Sequence, residues 1–295
     1  MQRVEKEIAR LINECDYDEV TRLFEMLSGG KRLRAKLILK IAPTNPKAPL
    51  LAAIVELIHG ASLLHDDVID EAMTRRGITS VNASDGSKTA VMLGDILYSK
   101  AFTELVTFDK KVAQTIASSV TALSKGEMLD VKMAETFNSD EDKYLDMLYL
   151  KTATLIEAAA KAAAMIDDKE SEKYALYGRN LGLSFQIIDD ILDITSDSKT
   201  LGKPAMNDYV EGKCTLHYIY LYEALDIQER EKLVSFHGRT IEKDETLWIQ
   251  EKMAQYACIE KSFKVAQELS QEAKNILHDN DELIAILDTM IKRSY

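Results

Sequence analysis

The chain has 295 residues, 46% of them apolar and 29% charged, with a net charge of −12. That balance is ordinary for a soluble globular protein and, with no sustained basic patch, excludes nucleic acid as a partner. Cys15, Cys214 and Cys258 are scattered with no CxxC spacing, which excludes a disulfide framework or zinc site and makes a reducing, cytoplasmic setting the expectation.

Residues 1–10 lack the apolar core of a signal peptide. No run approaches the length of a membrane span, so no integral membrane segment is expected. A 3.6-residue apolar period runs through most of the chain, interrupted by 4 prolines and 12 glycines. Val4, Ile8, Leu11 and Ile12 open a helix, and Val20, Leu23, Phe24 and Leu27 continue the pattern up to Ser28-Gly29-Gly30. Leu33, Leu37, Ile38 and Ile41 restart it, and Pro43, Pro46 and Pro49 end it. Residues 50–72 read as a long buried helix, and 75–89 as a loop rich in Gly, Ser, Asn and Thr. Helices follow at about 90–107 and 110–135. Asn138-Ser139-Asp140 is a cap cluster, 151–166 an alanine-rich helix, and 172–195 a further helix followed by a loop over 196–213. No strict two-residue alternation is long enough for a strand. The expectation is an all-α chain with one domain, residues 1–295.

Two stretches carry the chemistry. In Leu63-Leu64-His65-Asp66-Asp67-Val68-Ile69-Asp70, Asp66 and Asp70 lie four residues apart on one helical face, with Asp67 beside them. Phe185-Gln186-Ile187-Ile188-Asp189-Asp190-Ile191-Leu192-Asp193 repeats the spacing. Clustered carboxylates in an apolar run are costly unless a cation sits among them, and a hard divalent ion such as Mg²⁺ suits oxygen donors shared with phosphates and water. A solvated acidic turn would explain one copy; two copies suggest two acidic walls of one site.

Cations accompany both. Gly29-Gly30-Lys31-Arg32-Leu33-Arg34 places three at a helix start, where amides and the helix dipole also favour an anion. Arg75-Arg76-Gly77 follows the first aspartates, and arginine forks suit phosphate oxygens. Lys151-Thr152, Lys199, Lys203 and Lys213 accompany the second; Lys199 reads as a solvated loop lysine. With no GxxxxGK[ST] loop and no kinase motif, these groups point to a phosphorylated substrate whose diphosphate is the leaving group.

The chain resembles the trans-type polyprenyl diphosphate synthases over nearly its whole length. The matching pieces are GGKRLR (29–34), HGASLLHDDVIDEAMTRRG (59–77), LGD (93–95), GE (126–127), KTA (151–153), FQIIDDILDI (185–194) and LGKPAMNDYVEGKCTL (201–216). The resemblance implies an isoprenoid-synthase-type helical bundle around a deep central cavity, acting as a homodimer. It implies that Asp66, Asp67, Asp70, Asp189, Asp190 and Asp193 hold about three Mg²⁺ ions. Lys31, Arg34, His59 and Arg76 would bind isopentenyl diphosphate. Arg75, Lys151, Thr152, Gln186 and Lys203, joined by Lys213, would bind the allylic prenyl diphosphate, with Lys151 also serving the chemistry. Ionisation of the allylic C–O bond and attack by the double bond of isopentenyl diphosphate would follow, with proton loss to the departing diphosphate, in a dry aliphatic cavity. The chain departs from the common pattern at Ala35, where proline is usual, at Met206, where glycine is usual, and at His217, where proline is frequent.

Product length should depend on what lies below the first aspartates. Ala61 and Ser62 are small and about one turn back, with Ile58 and Val55 continuing that face. Phe102, Met128 and Met133 are alternative floor residues. The small pair and the uninterrupted DDVID resemble the long-chain branch, so the expected product has roughly six to nine isoprene units, octaprenyl foremost, for a quinone side chain. The alternatives are a farnesyl- or geranylgeranyl-type synthase, or a subunit of a heteromeric synthase. A terpene cyclase is disfavoured, because the second motif is DDILD and GGKRLR has no use without isopentenyl diphosphate.

Overall fold

A computed structural model describes residues 1–27, 30–195 and 206–292. Among them the all-α class holds, with one two-stranded hairpin as the exception. The apolar period becomes two helices at the start, α1 (Gln2–Asn13) and α2 (Asp18–Glu25), separated by Asp16 at φ +50°. Val4, Ile8, Leu11 and Ile12 are the buried residues of α1. α3 (Leu33–Ile41) ends before Pro43, but Pro49 does not end a helix: it sits in the first turn of α4 (Ala48–Ile69), where its missing N–H costs nothing.

The segment read as a loop over 75–89 is more ordered than expected. Strands β1 (Thr74–Arg75) and β2 (Ile78–Thr79) pair antiparallel, α5 (Val81–Asp85) follows, and α6 (Ser87–Leu105) begins three residues before the expected start. Arg76 and Gly77 turn the hairpin with φ of +53° and +77°, the double positive φ that a two-residue hairpin turn needs. α7 (Lys110–Ala134) and α8 (Glu141–Leu148) come next, and Asp140 caps α8 by accepting from the Lys143 N–H, as the cap cluster predicts. A π turn over Tyr149–Ala153 then leads into α9 (Thr154–Ile166) and α10 (Ser171–Thr195). The last helices are α11 (Asn207–Val210), α12 (Leu216–Ala224), α13 (Ile227–Ser235), α14 (Lys243–Gln255), α15 (Cys258–Ile276) and α16 (Asp281–Ile291).

Two compact units make up the chain. The first is Met1–Val120 with Glu157–Ala175; the second is Thr121–Ile156 with Leu176–Tyr295. In the first, α4 packs against α1, α3 and α6. Contrary to the sequence expectation, α4 is long and apolar enough to cross a membrane, with 22 residues and a mean hydropathy of 1.5 in its most apolar window; 78% of that window is buried in the protein. Leu51, Ile54, Leu57 and Ile58 are fully enclosed, each stabilising the fold by roughly 1.5–3 kcal/mol. In the second, Tyr144, Leu148, Ile187, Ile188, Ile191, Leu216 and Phe263 form one cluster, and Tyr209, Tyr218, Phe236, Ile249 and Met253 belong to another.

Candidate active site

In the first unit, α4 ends on its aspartates. Asp70 is the residue that closes the helix, its N–H bonded to the Asp66 carbonyl at 2.8 Å. Asp67 is buried, and both Nε and Nη2 of Arg75 lie 2.5 Å from its Oδ1. Arg75, expected to meet substrate, is therefore held by Asp67 here. The hairpin supplies this geometry, because β1 carries Arg75 and the turn carries Arg76. The Arg76 guanidinium lies close to Gly30: a Cβ added at 30 would fall 2.8 Å from Nη1, a contact that a shift of the arginine tip relieves.

Arg32, Arg34, Arg75, Arg76 and His59 share one electrostatic neighbourhood. Burial pushes the His59 imidazole well below its ordinary value, and the four arginines push it further, so the ring is neutral. Burial also lowers Arg34 and Arg76. Lys31 is exposed. Arg34 Nε is enclosed with no hydrogen-bond partner, a donor suited to an anion's oxygen.

Sequence reasoning missed the countercharge. Glu56, on the apolar helix α4, is 4% exposed; Arg32 Nη1 donates to it at 3.1 Å, and the Ala35 N–H donates to it at 3.0 Å. The latter bond satisfies an orphan amide in the first turn of α3 and is one that a proline at 35 could not make. An acidic residue at a core-facing helical position was the available signal.

In the second unit the aspartates meet neutral donors. Tyr144 Oη donates to Asp190 Oδ2 at 2.5 Å, and Gln186 Nε2 donates to Asp190 Oδ1 at 2.9 Å. Thr152 Oγ1 donates to Gln186 Oε1 at 3.1 Å, so Thr152, Gln186, Asp190 and Tyr144 form one chain of hydrogen bonds. Lys151 Nζ reaches Asp130 at 2.5 Å and Glu127 at 2.9 Å. Burial alone would lower that lysine, but the two carboxylates more than reverse it, so it stays charged. The Asp208 N–H donates to Asp193 Oδ2 at 3.1 Å. Tyr144, Glu127, Asp130 and Asp208 were all missed by sequence reasoning; the GE at 126–127 and the Asp in NDYVEGK were visible but unassigned.

A cavity of ≈170 Å³ is lined by Lys151, Thr152, Gln186, Asp190, Asp208 and Lys213, with Met133, Met147 and Leu148 among its apolar lining. Lys213 also pairs with Glu211 at 2.7 Å. Lys203 and Lys199 lie outside the described residues. Met206 sits at φ +64°, a left-handed conformation that accounts for the glycine usual there, while its side chain is buried. Of the floor candidates, Ala61, Ser62, Ile58 and Val55 are buried and Met133 lines the cavity. Met128 is 74% exposed, which corrects its candidacy as a floor within the chain.

Among the described residues, no three His, Cys, Asp or Glu side chains converge into a ready metal cage. The donor chemistry nevertheless fits a divalent cation. Asp189 is pushed up to about 7 by burial and by Asp190, and Asp190 and Asp208 are raised chiefly by burial. Buried oxygen donors with this surplus of negative charge suit a hard cation whose remaining ligands come from phosphate and water.

The polyprenyl synthetase family model matches residues 18–253. The chain belongs to the polyprenyl synthetase family. It is 33% identical to a short chain isoprenyl diphosphate synthase of Methanothermobacter thermautotrophicus over 100% of this chain and 96% of that one. Among solved structures it is similar to octaprenyl pyrophosphate synthase from Helicobacter pylori, at 42% identity and a TM-score of 0.93 over 98% of this chain and 97% of that one. It is also similar to a polyprenyl synthase from Caulobacter crescentus complexed with calcium and isoprenyl diphosphate, at 29% identity and a TM-score of 0.89 over 100% and 96% of the two chains. The protein is thus a prenyltransferase of a family that is generally metal-dependent and uses allylic and isopentenyl diphosphates.

Proposed function

We propose that this synthetase is a long-chain enzyme making octaprenyl diphosphate for a quinone side chain, from a farnesyl- or geranylgeranyl-type primer. The observation that carries the length is Ala61 and Ser62, both small and buried on α4 just before Asp66, with no aromatic side chain on that turn to stop a growing chain. The 42% identity to the Helicobacter pylori octaprenyl enzyme supports the same reading. The short chain relative from Methanothermobacter favours a shorter product, which is the second reading.

In this proposal Lys31, Arg34, His59 and Arg76 hold isopentenyl diphosphate. Neutral His59 is a hydrogen-bonding group, and the arginines supply the charge. Lys151, Thr152, Gln186, Lys203, Lys213 and Arg75 hold the allylic diphosphate. Asp66, Asp67, Asp70, Asp189, Asp190 and Asp193 would hold about three Mg²⁺, which, when bound, neutralise charge building on the leaving diphosphate. The family match spans residues of both units, which supports reading 1–295 as one polyprenyl synthase domain. We further propose a cytoplasmic homodimer.

The test incubates purified protein with Mg²⁺, farnesyl diphosphate and isopentenyl diphosphate and resolves dephosphorylated products by carbon number. A discrete C40 product supports the octaprenyl reading. A product that stops at C20 replaces it with the short-chain reading. No elongation points to a subunit that needs a partner.

A further inference from the structure

The π turn Tyr149–Ala153 interrupts what would otherwise be one helix from α8 into α9, and its five-residue step is explicit in the Thr154 N–H bonding to the Tyr149 carbonyl. Each residue inserted in this way rotates the following side chains by about 100° relative to an α-helix, and such single π turns recur at functional sites. Here the rotated residues are Lys151 and Thr152.

The turn is gripped on two sides by glycines that lie inside helices, where glycine is a poor choice for helix stability. On α7, a side chain at Gly126 would fall 2.6 Å from the Leu150 carbonyl carbon and 2.7 Å from Lys151 Cα. On α10, a side chain at Gly182 would fall 2.6 Å from Ala153 Cα and 2.8 Å from its Cβ. The obstructing atoms are mainly backbone, so no side-chain rotation relieves them. Each glycine also starts the stretch that anchors the turn's polar groups. One and four residues after Gly126 come Glu127 and Asp130, which hold Lys151 Nζ. Four residues after Gly182 comes Gln186, which accepts from Thr152.

We propose that Gly126 and Gly182 are positioning residues that clamp this π turn and thereby fix Lys151 and Thr152 where the allylic diphosphate binds. The proposal rests on the reading of those two residues as allylic-diphosphate groups. A methyl group at either glycine forces α7 or α10 away from the turn and carries Asp130 or Gln186 off its partner. Isopentenyl diphosphate, assigned to residues of the other unit, is not served by this clamp.

The test is steady-state kinetics of Gly126→Ala and Gly182→Ala with farnesyl and isopentenyl diphosphates. The expected result is a KM for the allylic substrate raised at least tenfold, with the KM for isopentenyl diphosphate changed less than twofold. Ile249→Ala, a cavity mutation in the buried cluster of α14, serves as the structural control and lowers Tm with both KM values unchanged. Should Gly126→Ala fail to fold, Gly182→Ala combined with Ala153→Gly removes one of the two clashing carbons and carries the same comparison. Folded variants whose two KM values behave like the control overturn the clamp. Calorimetric titration with the unreactive thiolo analogue of farnesyl diphosphate in Mg²⁺ makes the comparison without turnover. At least tenfold weaker binding in the variants supports the clamp, and equal binding overturns it. A wild type that binds no analogue and elongates nothing overturns the synthase reading, and the clamp with it.

Discussion

The same aspartate spacing occurs in both units, yet its surroundings differ. On α4, Asp67 is paired with Arg75, and the neighbourhood is rich in arginine with Glu56 as the buried counterweight. On α10, Asp190 is held by a tyrosine and a glutamine, and the adjacent lysine is already claimed by Asp130 and Glu127. Beside the first motif lies a cluster of four arginines with one buried glutamate, suited to an anion, whereas beside the second the lysine is countered by two carboxylates. Two copies of one motif, both proposed to hold Mg²⁺, sit in different charge settings because their neighbours, not their own residues, set the local balance.

The comparison can be broken most sharply at Asp190. Asp190→Ala is expected to lower kcat by about 10²- to 10³-fold, the scale of losing an electrostatic contact to developing charge. Differential scanning fluorimetry should also show that Mg²⁺ with inorganic diphosphate no longer raises its Tm as it does in the wild type. Chelation of metal with EDTA should abolish elongation in the wild type, with recovery on added Mg²⁺; metal-independent turnover would contradict the cation-binding role of the second unit.

Glu56→Ala tests the other side. Removing the buried partner of Arg32 is expected to cost roughly 3 kcal/mol in denaturant unfolding. It should raise the KM for isopentenyl diphosphate about tenfold through misplaced cations and leave the allylic KM nearly unchanged. A smaller effect is expected at Tyr144. Tyr144→Phe removes one charge-assisted hydrogen bond to Asp190, so kcat should fall about tenfold and the Mg²⁺ concentration needed for half-maximal rate should rise.

The smallest effect is on stability against pH. His217 is fully buried with Thr215 Oγ1 2.9 Å from its Nε2, and burial pushes it down to about 3. The folded state therefore keeps the ring neutral, while the unfolded chain protonates it near 6.5. Stability from this group is complete well above 6.5 and is lost as pH falls through 6.5 toward 3. Between pH 7 and 6 the loss is about 0.7 kcal/mol. Urea unfolding of wild type and His217→Gln at both pH values should show this difference shrinking in the variant.

Both aspartate motifs, their arginines and lysines, and the helical period were legible in the sequence because they are local: spacing along one helix decides which residues share a face. The buried faces of α1 and α3 and the Asp140 cap followed for the same reason. Two local features were still misjudged. Pro49 reads as a helix end but begins α4, since proline suits a first turn as well as a boundary. The RRG hairpin was hidden because two residues per strand leave no alternation to detect.

The chain itself determined the helical class, the family resemblance and the residue types of the chemistry, since each depends on composition and short-range spacing. Tertiary structure decided which partner each charged group meets: Arg75 to Asp67, Arg32 to Glu56, Lys151 to Asp130, Tyr144 to Asp190. These pairs join different helices or turns, 8 to 46 residues apart in sequence. Sequence spacing cannot encode such distances. Packing of helices and turns sets them instead, and for Lys151 that packing is closest where Gly126 meets the backbone of Leu150 and Lys151.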